Sequence, residues 1–197
     1  MTKVIGLTGG IGSGKSTAAE VFLSVGIPVY NSDDRAKSLY HTSAKLKEEV
    51  IALFGKESYE DGSLNRPFLA SQVFSSPRLL KQLNAIVHPL VAEDFEKWKN
   101  QQGTAWVLKE AAILIESGSY KGCDKIVVIA APLEERVKRV MQRDGIRKEQ
   151  VLERIQNQFS DEERESYADV VFQNITKKEL TQNITDWISS QEFLQEK

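Results

Sequence analysis

Cysteine is nearly absent from this chain: Cys123 stands alone, which excludes an internal disulfide and a cysteine metal cluster and fits a free thiol in a reducing compartment. Long apolar runs are missing as well. Nowhere do about 18 consecutive apolar residues occur, so no segment has the length of a membrane-spanning helix. The first residues fall directly into a strand pattern without a basic-then-apolar leader, so a cytoplasmic protein with no membrane partner is expected. Excess charge of one sign is also lacking: the net charge is -2, Lys and Arg are spread along the chain, and no basic-aromatic interleaving occurs. That balance speaks against a nucleic-acid partner. No internal repeat and no low-complexity tract appears. What remains is 197 residues, 41% hydrophobic and 27% charged, a composition that can bury a good core.

The most informative stretch is Gly9-Gly10-Ile11-Gly12-Ser13-Gly14-Lys15-Ser16-Thr17, which contains G-x-x-x-x-G-K-S. It is a phosphate-binding loop. Before it, Val4-Ile5-Gly6-Leu7-Thr8 reads as a buried strand; after it, Ala18, Phe22 and Val25 recur at helical spacing until Gly26 stops the pattern. A triphosphate needs many donors at short range. A glycine-rich turn points consecutive backbone N–H groups inward at a helix N-terminus, where the helix dipole also favours negative charge. Gly10, Ile11, Gly12, Ser13, Gly14, Lys15, Ser16 and Thr17 are therefore the candidate ATP contacts, with Lys15 as the cation for the β- and γ-phosphates. The Ser16 hydroxyl is the candidate magnesium ligand. A bare glycine turn would not require Lys15-Ser16, and a dinucleotide fingerprint would need a small residue where Lys15 stands.

Further along, strand-like and helical patterns alternate, the mark of an α/β protein with a parallel sheet. Ile27-Pro28-Val29-Tyr30 reads as a second strand, followed by Asn31-Ser32-Asp33-Asp34 and a helix. Asp33 then lies at the strand edge where ligands bind in such sheets; helix capping by Asn31, Ser32 or Asp33 is a compatible second role. From Arg35 to about Gly103 no strong strand appears. Leu46, Val50, Leu53 and Phe54 form an amphipathic helix ended by Gly55, Asp61-Gly62 makes a turn, and His88-Pro89 is expected to end or kink a later helix. A crossover that long reads as a helical insertion able to fold over a substrate. Within it Arg66 starts a helix as either a substrate contact or a solvated cap, and His88 is either a ligand contact or a packed histidine.

Trp106-Val107-Leu108 resumes the sheet, and Glu116 beyond it either touches substrate or is a loop carboxylate. Lys125–Ala130 is a buried strand. The helix after Pro132 carries Arg136, Arg139 and Arg143 at i, i+3 and i+7, one cationic face that is either solvated or turned to phosphates, with Arg139 and Arg143 the favoured phosphate ligands. Arg154 and Gln158 form an i, i+4 pair on the next helix, and Ser160 with Glu163 reads as a capping box. Ala168–Phe172 is a last strand, and a polar amphipathic helix follows. Trp98, Trp106 and Trp187 read as core or subunit-edge aromatics.

Taken together, Thr8 through Thr17, Ser32-Asp33 with Ala36, His88-Pro89-Leu90, Arg139-x-x-x-Arg143-Asp144 and Ala168-Asp169-x-x-x-x-Asn174 resemble, in order and spacing, the dephospho-coenzyme A kinases. The resemblance runs from about Val4 to Asn174. It implies a P-loop kinase fold: a core of five parallel strands from residues 1–34, 104–133 and 159–197, a helical coenzyme A-binding insertion at 35–103, and a lid at 134–158. It also implies transfer of the ATP γ-phosphate, with magnesium, to the ribose 3′-hydroxyl of dephospho-coenzyme A, the last step of coenzyme A synthesis. In that scheme Asp33, Lys15, Arg139 and Arg143 are catalytic, Asn174 joins the ATP site, and Asp33, Arg66, His88 and Glu116 contact the acceptor. The protein is expected to act as a monomer. Two positions depart from the family pattern: Asn31 where an aspartate is frequent, and Ala112 where a proline is common.

The alternative is a nucleoside or nucleoside monophosphate kinase of the same fold, which periodicity alone does not separate from the first. A regulatory GTPase would carry Asn-Lys-x-Asp and Asp-x-x-Gly motifs, and neither occurs. A mechanical ATPase would end an apolar strand in an acidic pair, where this chain has Lys109-Glu110.

Overall fold

The computed structural model describes residues 2–191; residue 1 and residues 192–197, the outer ends of the expected core, lie outside the described residues. In chain order the elements are β1 (Lys3–Thr8), α1 (Lys15–Ser24), β2 (Val29–Asn31), α2 (Ser32–Thr42), α3 (Ala44–Phe54), β3 (Tyr59–Glu60), β4 (Ser63–Leu64), α4 (Arg66–Phe74) and α5 (Pro77–Asn100). They continue with β5 (Trp106–Glu110), β6 (Lys125–Ala130), α6 (Leu133–Asp144), α7 (Lys148–Gln156), α8 (Asp161–Glu165), β7 (Val170–Gln173) and α9 (Lys177–Ser190). Two compact units result: one from the chain up to Asn31 and from Asn100 onward, the other from Ser32–Lys99. Residues 134–158 fall within the first unit.

The first unit is built on five parallel strands in the order β2-β5-β1-β6-β7, the expected number and direction. Val4, Ile5, Val107, Leu108, Val127 and Ile129 are buried, because strands covered on both faces carry apolar residues without alternation. One face packs against α1 and α9, where Ala18 and Phe22 meet Leu180, Ile184 and Ile188. Trp106 is buried in this core, and Trp187 lies edge-on to Phe22 at 6.3 Å and to Phe172 at 5.9 Å. On the central strand a Cβ at Gly6 would come within 2.7 Å of Leu114 and 2.8 Å of the Cys123 sulfur, so glycine is what that packing admits. From central β1 the chain leaves to one side through β2, returns at β5, and crosses to the other at β6. Ligands of such sheets bind outside the carboxyl ends of the strands at that change of direction.

The second unit is helical, with one two-stranded hairpin turning at Asp61-Gly62. Ser43 caps α3 by accepting the Leu46 N–H at 3.2 Å, Gly55 ends that helix at φ 91°, and Asn65 caps α4 by accepting the Phe68 N–H at 3.1 Å. The helix does not end at His88-Pro89. Helix α5 runs 24 residues with Pro89 inside it. Proline removes one helical bond there, but Leu83 and Val87 before it and Leu90 and Val91 after it all enter one cluster with Leu46, Val50 and Leu69. Burial on both sides of the proline outweighs the local cost. Trp98 near the end of α5 stacks on Phe95 with ring centroids 6.1 Å apart. Among the described residues no helix is long and apolar enough to cross a membrane.

His88 is half-buried in α5, and burial lowers its pKa below the ordinary 6.5. The unfolded chain therefore binds more protons than the folded one as the pH falls through 6.5, and the stability present at neutral pH is lost on acidification. Calorimetry from about pH 7.5 down to about pH 5.5 should show a smaller loss of Tm for His88→Gln than for the wild type. Equal losses would remove His88 from the acid response.

Candidate active site

The glycine loop bridges β1 and α1. Gly12 and Gly14 adopt φ of 77° and 100°, a region open mainly to glycine. Space is short at both: a Cβ on Gly12 would lie 2.5 Å from the Arg136 carbonyl oxygen, and one on Gly14 would lie 2.1 Å from Asn174 Nδ2. The Ser13 N–H turns back to the Gly10 carbonyl at 3.0 Å, and the first helical bond of α1 is Ala18 N–H to Gly14 at 3.1 Å. The opening turn of α1 thus has N–H groups without acceptors inside the helix, at its positive end. Lys15 Nζ donates to the Gly9 carbonyl at 3.0 Å, which holds the ammonium over the loop. Among the described residues the buried hydroxyls of Thr8 and Ser13 have no hydrogen-bond partner. Unfilled donors around a cradle too tight for side chains fit a polyphosphate.

Other elements hold this loop in place. Asn174, buried just past β7, donates from Nδ2 to the Ser13 carbonyl at 2.6 Å and anchors its own backbone on Ala130 at 2.7 Å. Arg139 reaches from α6 to the carbonyls of Gly12 at 3.4 Å, Asn174 at 3.1 Å and Ile175 at 3.4 Å. Ile11 packs its side chain against Val137, Val140 and Val151 and gives its N–H to Gln158 Oε1 at 2.9 Å.

The three arginines of α6 do not share one fate. Arg143 is exposed and bonds Asp144 Oδ1 at 2.7 Å; this hydrogen bond raises the Arg143 pKa and lowers that of Asp144. Arg136 is 4% exposed, and burial lowers its pKa. Its Nη2 meets Asp161 Oδ2 at 2.9 Å, while the other oxygen of Asp161 takes Arg164 Nη1 at 2.9 Å. A Cβ on Gly10 would sit 1.9 Å from Arg136 Nη1, so this guanidinium lies directly against the loop. Glu116 belongs to the same group: it is half-buried, Oε1 accepts the Phe159 N–H at 3.1 Å and lies 3.7 Å from Arg164 Nη2. Ser160 and Glu163 do form the expected capping box, but α7 ends at Gln156, so Gln158 is not helical and pairs with the loop instead of with Arg154.

Glu110 is a residue that the reading of the sequence passed over. It is 5% exposed at the end of β5, opposite Leu7 of β1 and Asn31 of β2, and accepts a hydrogen bond from Asn31 Nδ2. Its signal was the apolar run before it, which ends on one carboxylate instead of two. Of the remaining candidates, Asp33 sits in the first turn of α2, two residues past β2, Arg66 opens α4, and His88 lies in α5. The loop, Lys15, Asn174 and Arg139 are brought together, Arg143 turns to Asp144, and Asp33, Arg66 and His88 belong to the helical unit.

A parallel five-stranded sheet with this strand order, whose central strand runs through a G-x-x-x-x-G-K-S loop into a helix, is the fold of the P-loop kinases. The dephospho-CoA kinase family model matches residues 3–179. A dephospho-CoA kinase of Bacteroides fragilis is 40% identical over 186 residues, covering 94% of this chain and 91% of that protein. Among solved structures, a Thermus thermophilus protein superposes with a TM-score of 0.87 at 36% identity over 96% of this chain and 97% of its own. A Campylobacter jejuni dephospho-CoA kinase does so at 0.70 and 27% identity, covering 96% of each chain. The chain belongs to the dephospho-CoA kinase family, in agreement with the resemblance read from its motifs.

Asn174→Ala removes the bond to Ser13 and leaves a gap behind Gly14. A loss of about 1–3 kcal/mol is the usual cost at a buried amide, so calorimetric titration with ATP should show affinity falling by about tenfold or more. Unchanged affinity would mean that the loop keeps its shape without this contact.

Proposed function

We infer that this protein phosphorylates the ribose 3′-hydroxyl of dephospho-coenzyme A with ATP, yielding coenzyme A and ADP. The observation that carries the reading is the phosphate cradle between β1 and α1, complete at every fixed position, in a chain of this family. A nucleoside or nucleoside monophosphate acceptor is favoured by no observation. A cytoplasmic monomer is the reading in keeping with composition.

Phosphoryl transfer spreads charge over the transferred group, so the protein's task is positioning and electrostatic stabilisation. The N–H groups of Gly12, Ser16 and Thr17 are assigned to the phosphates, together with Lys15, and Arg139 and Arg143 add positive charge from α6. Magnesium needs only one or two protein oxygens beside the phosphates. The Ser16 hydroxyl and the Glu110 carboxylate are the hard oxygen donors suited to it, and when bound the ion neutralises phosphate charge. Asp33 is assigned to the acceptor: placed in the first turn after β2, it takes the proton of the 3′-hydroxyl or orients it. Arg66 and His88 are assigned to acceptor binding, and Glu116, which accepts the Phe159 N–H, is the remaining candidate for an acceptor contact.

ADP release from the purified protein with magnesium and ATP is the direct assay, with dephospho-coenzyme A set against a panel of nucleosides and their monophosphates. Dephospho-coenzyme A alone should support rapid turnover, and Asp33→Asn should lower kcat by about a hundredfold or more with ATP affinity nearly unchanged. Turnover only with a nucleoside would overturn the acceptor. Helices α6 and α7, residues 134–158, are proposed to close over ATP and exclude water. Trapping both substrates should then protect that segment from hydrogen exchange, and unchanged exchange would remove the lid from the scheme.

A further inference from the structure

The outer turn of the phosphate loop is held by a group that the transfer chemistry leaves unused. Gln158 follows the last residue of α7, Gln156, by two positions. Its side-chain amide makes two bonds: Oε1 accepts the Ile11 N–H at 2.9 Å, and Nε2 donates to the Ala112 carbonyl at 3.2 Å. One amide thus ties the loop after β1 to the segment after β5. The next residue fixes the amide in turn, since the Phe159 N–H donates to Glu116 Oε1 at 3.1 Å and its carbonyl accepts from buried Arg164 at 2.8 Å. Ile11 is gripped a second time where its side chain enters the Val137, Val140 and Val151 cluster between α6 and α7.

We propose that Gln158 is a positioning residue for phosphate binding: it withdraws the Ile11 N–H from the donor set and fixes the outer turn, so that the N–H groups of Gly12, Ser16 and Thr17 converge on the phosphates. The proposal rests on the kinase reading. A neutral amide suits the place because it offers an acceptor and a donor from one planar group. A glutamate would face the Ala112 carbonyl with no donor and add negative charge beside the phosphates. Gln158 and the valine cluster belong to the α6–α7 segment and its exit, so the same contacts link the arrangement of that segment to the shape of the loop.

The test uses the full chain with Gln158→Met, which keeps length and removes both bonds, beside Gln182→Met, which removes an exposed amide bond to Asp186 on α9 and leaves the loop alone. In Gln158→Met the KM for ATP should rise about tenfold, the amount expected from one to two neutral hydrogen bonds, and Ile11 amide exchange should speed up by a similar factor. The KM for dephospho-coenzyme A should stay within about twofold, and Gln182→Met should match the wild type in both ATP KM and Ile11 exchange. Gln158→Glu, which retains the acceptor, should recover Ile11 protection without recovering the KM for ATP. An ATP KM within about twofold of wild type in Gln158→Met, or an equal rise in Gln182→Met, overturns the proposal. Should Gln158→Met not fold, the ligand-free wild type decides: an Ile11 amide exchanging as fast as that of Gly12 overturns it as well. If the wild type binds ATP but does not phosphorylate dephospho-coenzyme A, the acceptor reading fails alone, and the ATP dissociation constant replaces KM in the comparison.

Discussion

A single amide, Asn174, joins the loop after the first strand to the loop after the last. Its 2.6 Å bond to the Ser13 carbonyl lies behind Gly14, at a spot with no room for a side chain. Phosphate binding needs backbone N–H groups in fixed directions, and a glycine-rich turn left to itself would sample many. Here the directions are imposed from outside the turn: Asn174 and Arg139 hold its carbonyls, and Gln158 holds its outer N–H. Four of the five strands contribute to the arrangement through the segments that follow them.

Beneath that layer lies a second one made of charge. Arg136 and Arg164 are both nearly inaccessible, and they share the two oxygens of Asp161, with Glu116 at the edge. Burying two guanidinium groups is costly unless each is paired, and a carboxylate gripped from both sides meets that condition. The pairing holds the Arg136 guanidinium against Gly10.

The legible parts of this molecule were those governed by local rules. The phosphate loop announces itself because the chemistry of its ligand dictates residue types at fixed spacing. Strands β1 and β6 carry unbroken apolar runs, Val4 to Leu7 and Ile126 to Ala130, because both of their faces are covered. Pro89 shows the opposite case: the rule for proline is local, but the cluster of Leu83, Val87, Leu90 and Leu46 that carries the helix past it joins separate helices. Arg136, Arg139 and Arg143 are equivalent on the helix, and only what lies across from each separates a buried bridge, a clasp on three carbonyls and a surface pair. Gln158 carried no local signal, since its partners stand 147 and 46 residues away. Asn174 was visible only through the family resemblance.

The helical unit is continuous in the chain, whereas the sheet is not. Ser32–Lys99 can complete its contacts as soon as it has been made, and its local connectivity favours rapid folding. The glycine loop leaves the ribosome before that unit but cannot take its final form until β7 and Asn174 emerge. During synthesis, therefore, the first motif written is among the last to be assembled. ATP can stabilise only a chain whose sheet is already closed, so a nascent or truncated product gains no protection from the nucleotide it was built to hold.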